Sequence, residues 1–94
     1  MKYAGYNVKV VADVTGPKML KDWSETEYET MRAKIVVNPI RKKRTYAVLV
    51  SIRDEWLTLS NKETNKTIDF KDVESARAAA LADMNGRRDI AHGD

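Results

Sequence analysis

Two apolar runs on either side of four consecutive basic residues constrain this chain more than any other feature. Residues 33–52 read AKIVVNPIRKKRTYAVLVSI. Runs of this length, rich in Val and Ile, are typical of strands, and Pro39 cannot donate to a sheet ladder. The segment therefore predicts a long β-hairpin. Its tip, called the basic tip below, consists of Arg41, Lys42, Lys43 and Arg44.

The N-terminal third predicts one strand and then an ambiguous segment. Residues 6–14, YNVKVVADV, alternate with period two, as a half-buried strand does. Thr15-Gly16-Pro17 is expected to end this strand, because Gly and Pro punctuate regular structure. In residues 18–30, Ser24 and Glu27 match a capping box, whereas alternating Glu with Thr and Tyr favours a strand. We predict a loop with at most one or two helical turns, then a strand from about Tyr28.

Four more strands are predicted along the rest of the chain. The hairpin supplies residues 31–38 and 44–52. Alternation along the first places Arg32 and Lys34 on one face and Ile35 on the other, and the second has apolar residues on both faces. A strand buried on both faces belongs in the middle of a sheet. Residues 56–60 and 66–70 are expected to follow as shorter strands, separated by a polar loop of hairpin length.

The clearest helix lies near the C-terminus, at residues 72–85. Asp72 is a good N-cap, and the segment contains five closely spaced Ala residues. Gly86 is expected to end the helix. The predicted fold class is α+β: an antiparallel β-meander of four to five strands with one C-terminal α-helix packed on one face. We expect one domain over residues 1–86 and a flexible tail over residues 87–94.

Length and composition narrow the functional classes. The chain has 94 residues, which suits one core, and it contains no cysteine. Neither disulfides nor thiolate metal sites can form, and this suits a reducing compartment. The longest apolar run, Tyr46–Val50, is far shorter than the roughly 20 residues that span a bilayer. The first residues lack the apolar centre of a signal peptide. We expect a cytoplasmic protein that does not enter the membrane.

Catalytic chemistry is not indicated by any motif. His92 is the single histidine, and it lies two residues before Asp94. No Gly-rich phosphate loop and no nucleophile motif is present. Paired carboxylates such as Asp54-Glu55 fall in a predicted polar turn, not in a pocket that could separate their pKa values. We predict a non-catalytic protein without a cofactor or a metal site.

Charge is unevenly distributed, and this indicates a binding surface. Residues 31–71 hold ten Lys or Arg against four acids, a balance of +6, whereas residues 1–30 carry −1 and residues 72–94 carry −2. Such a segment attracts polyanions or an acidic protein face, although Lys and Arg also protect strand edges. The candidate binding residues are Arg32, Lys34, Arg41, Lys42, Lys43, Arg44, Arg53, Trp56 and Lys66. Trp56 is expected either in the core or exposed among these cations, where it could stack on bases.

Residues 44–86, with strands followed by the aromatic Phe70 and a capped Ala-rich helix, resemble the three-stranded-sheet-plus-helix module of AP2-type and integrase arm-binding domains. That resemblance implies DNA recognition by the sheet, covers less than half of the chain and transfers no residue role. In size, basic edge and lack of cysteine, the chain is also similar to phage-encoded accessory proteins that block host enzymes or nuclease complexes. The expected partner is therefore nucleic acid or an acidic protein surface, and an open sheet face could also form a homodimer.

Overall fold

Six strands and one helix make up the part of the chain that the structure describes. The computed structural model describes residues 2–3, 5–20, 26–40, 43–52 and 55–91. The strands are β1 (Lys2–Tyr3), β2 (Tyr6–Asn7), β3 (Val10–Leu20), β4 (Tyr28–Val37), β5 (Tyr46–Ile52) and β6 (Glu55–Thr58), and the helix is α1 (Val73–Ala91). The predicted α+β class, with an antiparallel sheet and a C-terminal helix packed against its strands, is confirmed.

The main sheet is an antiparallel meander with the order β3-β4-β5-β6, and β1 pairs with β2 in a separate hairpin. The helix packs on β3, β4 and β5 and makes no contact with β6. The two faces of the sheet therefore differ. One face carries the helix, and the opposite face, called the open face below, does not.

A close approach of helix and sheet forms the larger core. The strands contribute branched and sulfur-containing side chains, and α1 contributes mainly alanines. The buried members are Val14, Met31, Ala33, Ile35, Val48, Val50, Leu59, Ala76, Ala80 and Met84. Ala76 and Ala80 are four residues apart and fully buried, so the small side of the helix lies against the sheet. Gly16 completes the fit, because a Cβ there would lie 2.5 Å from the Met84 sulfur.

A second, smaller core covers one end of the open face. Tyr3, from the N-terminal hairpin, packs with Val36, Ala47 and Leu49, which lie on the opposite side of the sheet from α1. The period-two pattern of residues 6–14 did not predict this hairpin. Its presence explains why β5 has buried residues on both faces, and the predicted central position of β5 is confirmed.

Three strand predictions were wrong. The first strand does not begin at Tyr6, because Tyr6–Asn7 pairs with Lys2–Tyr3 as β2 and β3 begins at Val10. β3 does not end at Thr15-Gly16-Pro17 but continues to Leu20, with a register shift between Thr15 and Lys18. An edge strand tolerates Pro, because the missing N–H can face away from its neighbour, and the irregular pairing takes up the change. Residues 66–70 do not form a fifth strand of the sheet. They make two single bridges, Tyr46 with Phe70 and Ser60 with Thr67.

The boundaries of β4 were predicted more closely. The strand begins at Tyr28, as expected, and Thr26 and Glu27 before it are neither helical nor extended. Residues 18–20, which were placed in a loop or helical turn, belong instead to β3. Residues 21–25, on which the predicted capping box partly fell, lie outside the described residues.

The helix begins as predicted but ends later. The Asp72 carboxylate accepts a hydrogen bond of 2.7 Å from the Ser75 N–H, which confirms the N-cap. This backbone bond and a further one from the Ser75 side chain hold the pKa of Asp72 below its usual value. The predicted stop at Gly86 was wrong. Gly86 lacks the left-handed conformation of a C-terminal cap, and α1 continues to Ala91.

The predicted tail therefore starts too early, since residues 87–91 are helical. An ion pair one turn apart joins Arg87 Nε to Asp83 Oδ2 at 2.6 Å, across the position of Gly86. Within the part of the chain that the structure describes, no helix is both long and apolar enough to cross a membrane.

Substituting Gly16 and Gly86 with alanine should have opposite effects on stability. Gly16→Ala places a methyl group against buried Met84 and close to Met31, and we expect overpacking to lower the free energy of unfolding by about 1–3 kcal/mol. Gly86→Ala meets nothing within 4 Å on an exposed helix surface, and it should raise stability by about 0.5–1 kcal/mol. Urea denaturation followed by circular dichroism measures both. A Gly16→Ala variant as stable as the natural chain would contradict the close approach of α1.

Candidate functional site

The open face is built from two rows of side chains that cross all four strands. Directly opposed residues of antiparallel strands share a face. The first row consists of Thr15, Arg32, Ser51 and Trp56, and the second consists of Asp13, Lys34, Leu49 and Thr58. Leu49 is covered by the N-terminal hairpin, so the other residues form the accessible part. The alternation along β4 that predicted a shared face for Arg32 and Lys34 is present in the structure.

Lys34 connects the two rows electrostatically. Its ammonium lies 2.9 Å from Asp13 Oδ1 and 5.7 Å from the centroid of the Trp56 ring. An ammonium at that distance is attracted to the negative face of an indole. Trp56 remains 39% exposed, so of the two alternatives for this residue the core position is wrong. Part of its ring stays available to a ligand.

Positive charge is in excess on this face. The register places Lys18 opposite Thr30, in the next row beyond Arg32. The described residues of the open face therefore include three cations, Lys18, Arg32 and Lys34, and one carboxylate, Asp13. Their net charge is +2. Within the described ranges, no hydrogen bond or ion pair occupies the guanidinium of exposed Arg32, which leaves it free to bind an anion.

The accessible part of the face has the dimensions of a short stretch of nucleic acid. Four strands spaced about 4.8 Å apart span roughly 14 Å, and the six-residue step from Tyr28 to Lys34 spans roughly 20 Å. An open depression of about 260 Å³ lies within this area and is lined in part by Asp13, Arg32, Lys34 and Trp56. A sheet surface of this size suits two or three stacked bases.

The basic tip lies at the other end of the hairpin. Val37 pairs with Tyr46 at the last position of the β4–β5 ladder, and the Asn38 N–H donates to the Thr45 carbonyl at 2.9 Å. Lys43 and Arg44 are exposed just before β5. The predicted tip residues Arg41 and Lys42 lie outside the described residues.

The structure therefore separates two groups of cations that the sequence placed in one basic region. Arg32 is five residues from the end of β4, or roughly 17 Å along the strand. The cluster around Tyr3 covers the sheet between the tip and the accessible open face. Of the remaining candidates, Lys66 is exposed in the turn after β6, and Arg53 lies outside the described residues.

Sequence reasoning missed the residues that hold the tip. Asn38 is buried, and its amide donates to Asp69 Oδ1 at 2.6 Å while its Oδ1 accepts from the Ile40 N–H at 3.0 Å. An Asn followed by Pro39 at a strand end is a local signal for a side-chain–backbone turn. The contact with Asp69 depends on tertiary structure, because 31 residues separate the two.

Thr15, Lys18 and Ser51 were also missed as members of the face. Thr15 and Lys18 were excluded because the first strand was predicted to stop before them. The alternation of β5 did contain a signal for Ser51, which lies two positions beyond Leu49 on the same side.

Among the described residues, no three His, Asp or Glu side chains lie close enough together to hold a metal ion. Comparison with models of protein families, with curated proteins and with solved structures gives no match.

Replacing Asn38 should destabilise the base of the basic tip. Asn38→Ala removes two hydrogen bonds at a buried position, and we expect a loss of about 1–3 kcal/mol in the free energy of unfolding. The matched control is Asn61→Ala, since Asn61 makes a similar turn at an exposed position, with its Oδ1 accepting from the Glu63 N–H at 2.8 Å. Water can replace that bond, so the control should lose less than about 1 kcal/mol. Equal losses in the two variants, measured by urea denaturation, would contradict the anchoring role.

Proposed function

We propose that this protein binds single-stranded nucleic acid on the open face and catalyses no reaction. The observation that carries the proposal is the position of Trp56 on an accessible sheet surface, in the same row as Arg32 and next to the row of Lys34. An aromatic ring can stack on any of the bases, and neighbouring cations neutralise the phosphates. The proposal includes a cytoplasmic location, which suits a chain without cysteine.

The basic tip has a supporting role in this proposal. Lys43 and Arg44 are exposed and lie at the far end of the same hairpin. A strand long enough to reach both surfaces would gain further phosphate contacts at the tip. A short oligonucleotide would use the open face alone, so affinity should increase with length beyond the two or three bases that the face accommodates.

A protein partner with an acidic surface is the second candidate, as expected for an accessory protein that inhibits a host enzyme or nuclease complex. Asp13 favours a protein over nucleic acid, because a carboxylate within the open face repels phosphate but can pair with a cation that lies among the acidic groups of a protein surface. The two candidates differ in salt dependence. The logarithm of the affinity for nucleic acid falls linearly with the logarithm of the salt concentration, and the slope is set by the number of phosphates contacted.

Binding of labelled single-stranded DNA and RNA, followed by fluorescence anisotropy at several salt concentrations, tests the proposal. Arg32→Ala and Lys34→Ala should each weaken binding and reduce the magnitude of the salt slope by about 0.7. Trp56→Ala should weaken binding by about 1–3 kcal/mol with the slope unchanged, because stacking releases no counterion. Arg77→Ala is the matched control, since Arg77 is exposed on α1 in the other layer.

Two outcomes would contradict the proposal. One is a lack of binding to either nucleic acid at micromolar protein and low salt. The other is an equal effect of Arg77→Ala and Arg32→Ala, which would mean that charge acts without regard to position. In either case a stoichiometric complex captured from a host extract, insensitive to nuclease, would support the acidic protein partner instead.

Removing the carboxylate from the open face should strengthen binding. Asp13 engages the Lys34 ammonium at 2.9 Å and so competes with a phosphate for it. Because exposed ion pairs contribute about 0.2–1 kcal/mol, Asp13→Asn should increase affinity by up to about fivefold at low salt. Asp83→Asn, which changes a carboxylate on α1, is the control and should leave affinity unchanged. The same anisotropy titration measures both, and weaker binding by Asp13→Asn would contradict competition at Lys34.

A further inference from the structure

Among the described residues, the outer edge of β6 combines three features that no other strand of the sheet combines. β6 is an outer strand, α1 does not reach it, and its two central side chains are large, apolar and exposed on opposite faces. Leu57 is 43% exposed on the helix side, and Trp56 is 39% exposed on the open face. Exposed apolar residues on an uncovered edge strand are a template for pairing with another strand.

The other edge of the sheet is protected. β3 contains Pro17, which has no N–H to donate, and its pairing is irregular between Thr15 and Lys18. Proline, bulges and charged side chains are the devices that prevent edge-to-edge pairing. β6 contains neither proline nor a register shift, and all four of its residues pair regularly with β5.

The direction of the β6 backbone groups follows from the ladder. The Leu59 N–H donates to the Val48 carbonyl at 2.9 Å, and Leu57 is paired with Val50 two positions earlier. Hydrogen-bonded pairs alternate along an antiparallel ladder. Leu57 therefore directs its N–H and its carbonyl toward β5, whereas the Leu59 carbonyl accepts a hydrogen bond from the Ile68 N–H at 3.1 Å. Trp56 and Thr58 direct their backbone groups outward, at the free edge.

We propose that β6 pairs antiparallel with the β6 of a second copy, about a twofold axis through Leu57, to form one eight-stranded sheet. In this register Trp56 of each copy faces Thr58 of the other, and their outward backbone groups can form four hydrogen bonds. The two Leu57 side chains then meet in the closely spaced, non-hydrogen-bonded position on the helix side. A shift of one residue would oppose Trp56 to Leu57 of the other copy, whose backbone groups point toward its own β5, so the hydrogen bonds could not form in that register.

This arrangement leaves the open face accessible and doubles it. The Trp56 rings of the two copies become diagonal neighbours, with roughly 7–8 Å between their Cα atoms. The pairing differs from a homodimer that uses the open face itself, because that dimer would bury Arg32 and Lys34. The inference does not depend on the proposed function, since its tests contain no nucleic acid.

The dimer should be weak. A four-residue edge buries less than the roughly 1,200 Å² of a standard interface, which places the dissociation constant in the micromolar range or above. Sedimentation velocity over a concentration series should show a mass that rises from 10.7 kDa toward twice that value. Leu57→Lys should abolish the rise, because it places like charges on the axis. Val11→Lys is the matched control at an aliphatic residue that is 37% exposed on β3, and it should dimerise normally.

A cysteine pair gives an independent test, since the chain has no cysteine of its own. Opposed residues at a non-hydrogen-bonded position have Cα atoms about 4.5 Å apart, within the range for a disulfide. Mild oxidation of Leu57→Cys should give a covalent dimer at concentrations where the natural chain is monomeric, whereas Val11→Cys should stay monomeric. Circular dichroism checks that each variant is folded. A natural chain that remains monomeric at every concentration, or equal crosslinking of Leu57→Cys and Val11→Cys, would overturn the proposal.

Discussion

The close packing of α1 on three of the four main strands is the interaction on which the rest of the structure depends. It requires small residues where helix and sheet meet, and Gly16, Ala76 and Ala80 provide them. Larger side chains from the sheet, such as Ile35 and Met31, fill the remaining space. Because a single helix covers only part of a four-stranded sheet, this packing leaves β6 uncovered on the helix side and the opposite face without a helix.

Among the described residues, no second layer covers most of the open face, and this explains why that part of it is polar. Where the N-terminal hairpin does cover it, the sheet residues are Val36, Ala47 and Leu49. Beyond that cover the same strands present charged and hydroxyl side chains and the partly exposed Trp56. The change from apolar to polar along each strand therefore follows the extent of the hairpin, and it defines the area open to a ligand.

Charge alone gave an incomplete description of the candidate site. The basic middle of the chain suggested one surface centred on the tip, yet Lys43 and Arg44 lie beyond the Tyr3 cluster from Arg32 and Lys34. Strand alternation was the better guide, since it placed Arg32 and Lys34 together on the face opposite the core. The use of Gly and Pro as stop signals failed at Gly16-Pro17, because such local signals cannot reveal that an edge strand tolerates an irregular pairing. It failed again at Gly86, where the backbone is helical, the Asp83–Arg87 ion pair spans the position and the helix continues.

The sequence by itself determined the local structure of this protein: the strands of the hairpin, the start of β4 and the capped, Ala-rich helix. These follow from the period of apolar residues and from side-chain–backbone bonds between near neighbours, which are properties of short segments. Only the tertiary structure decided which surfaces remain accessible. Contacts between segments far apart in the chain determine the exposure of Trp56, the burial of the sheet under Tyr3 and the hydrogen bond from Asn38 to Asp69. The local sequence pattern cannot predict such contacts.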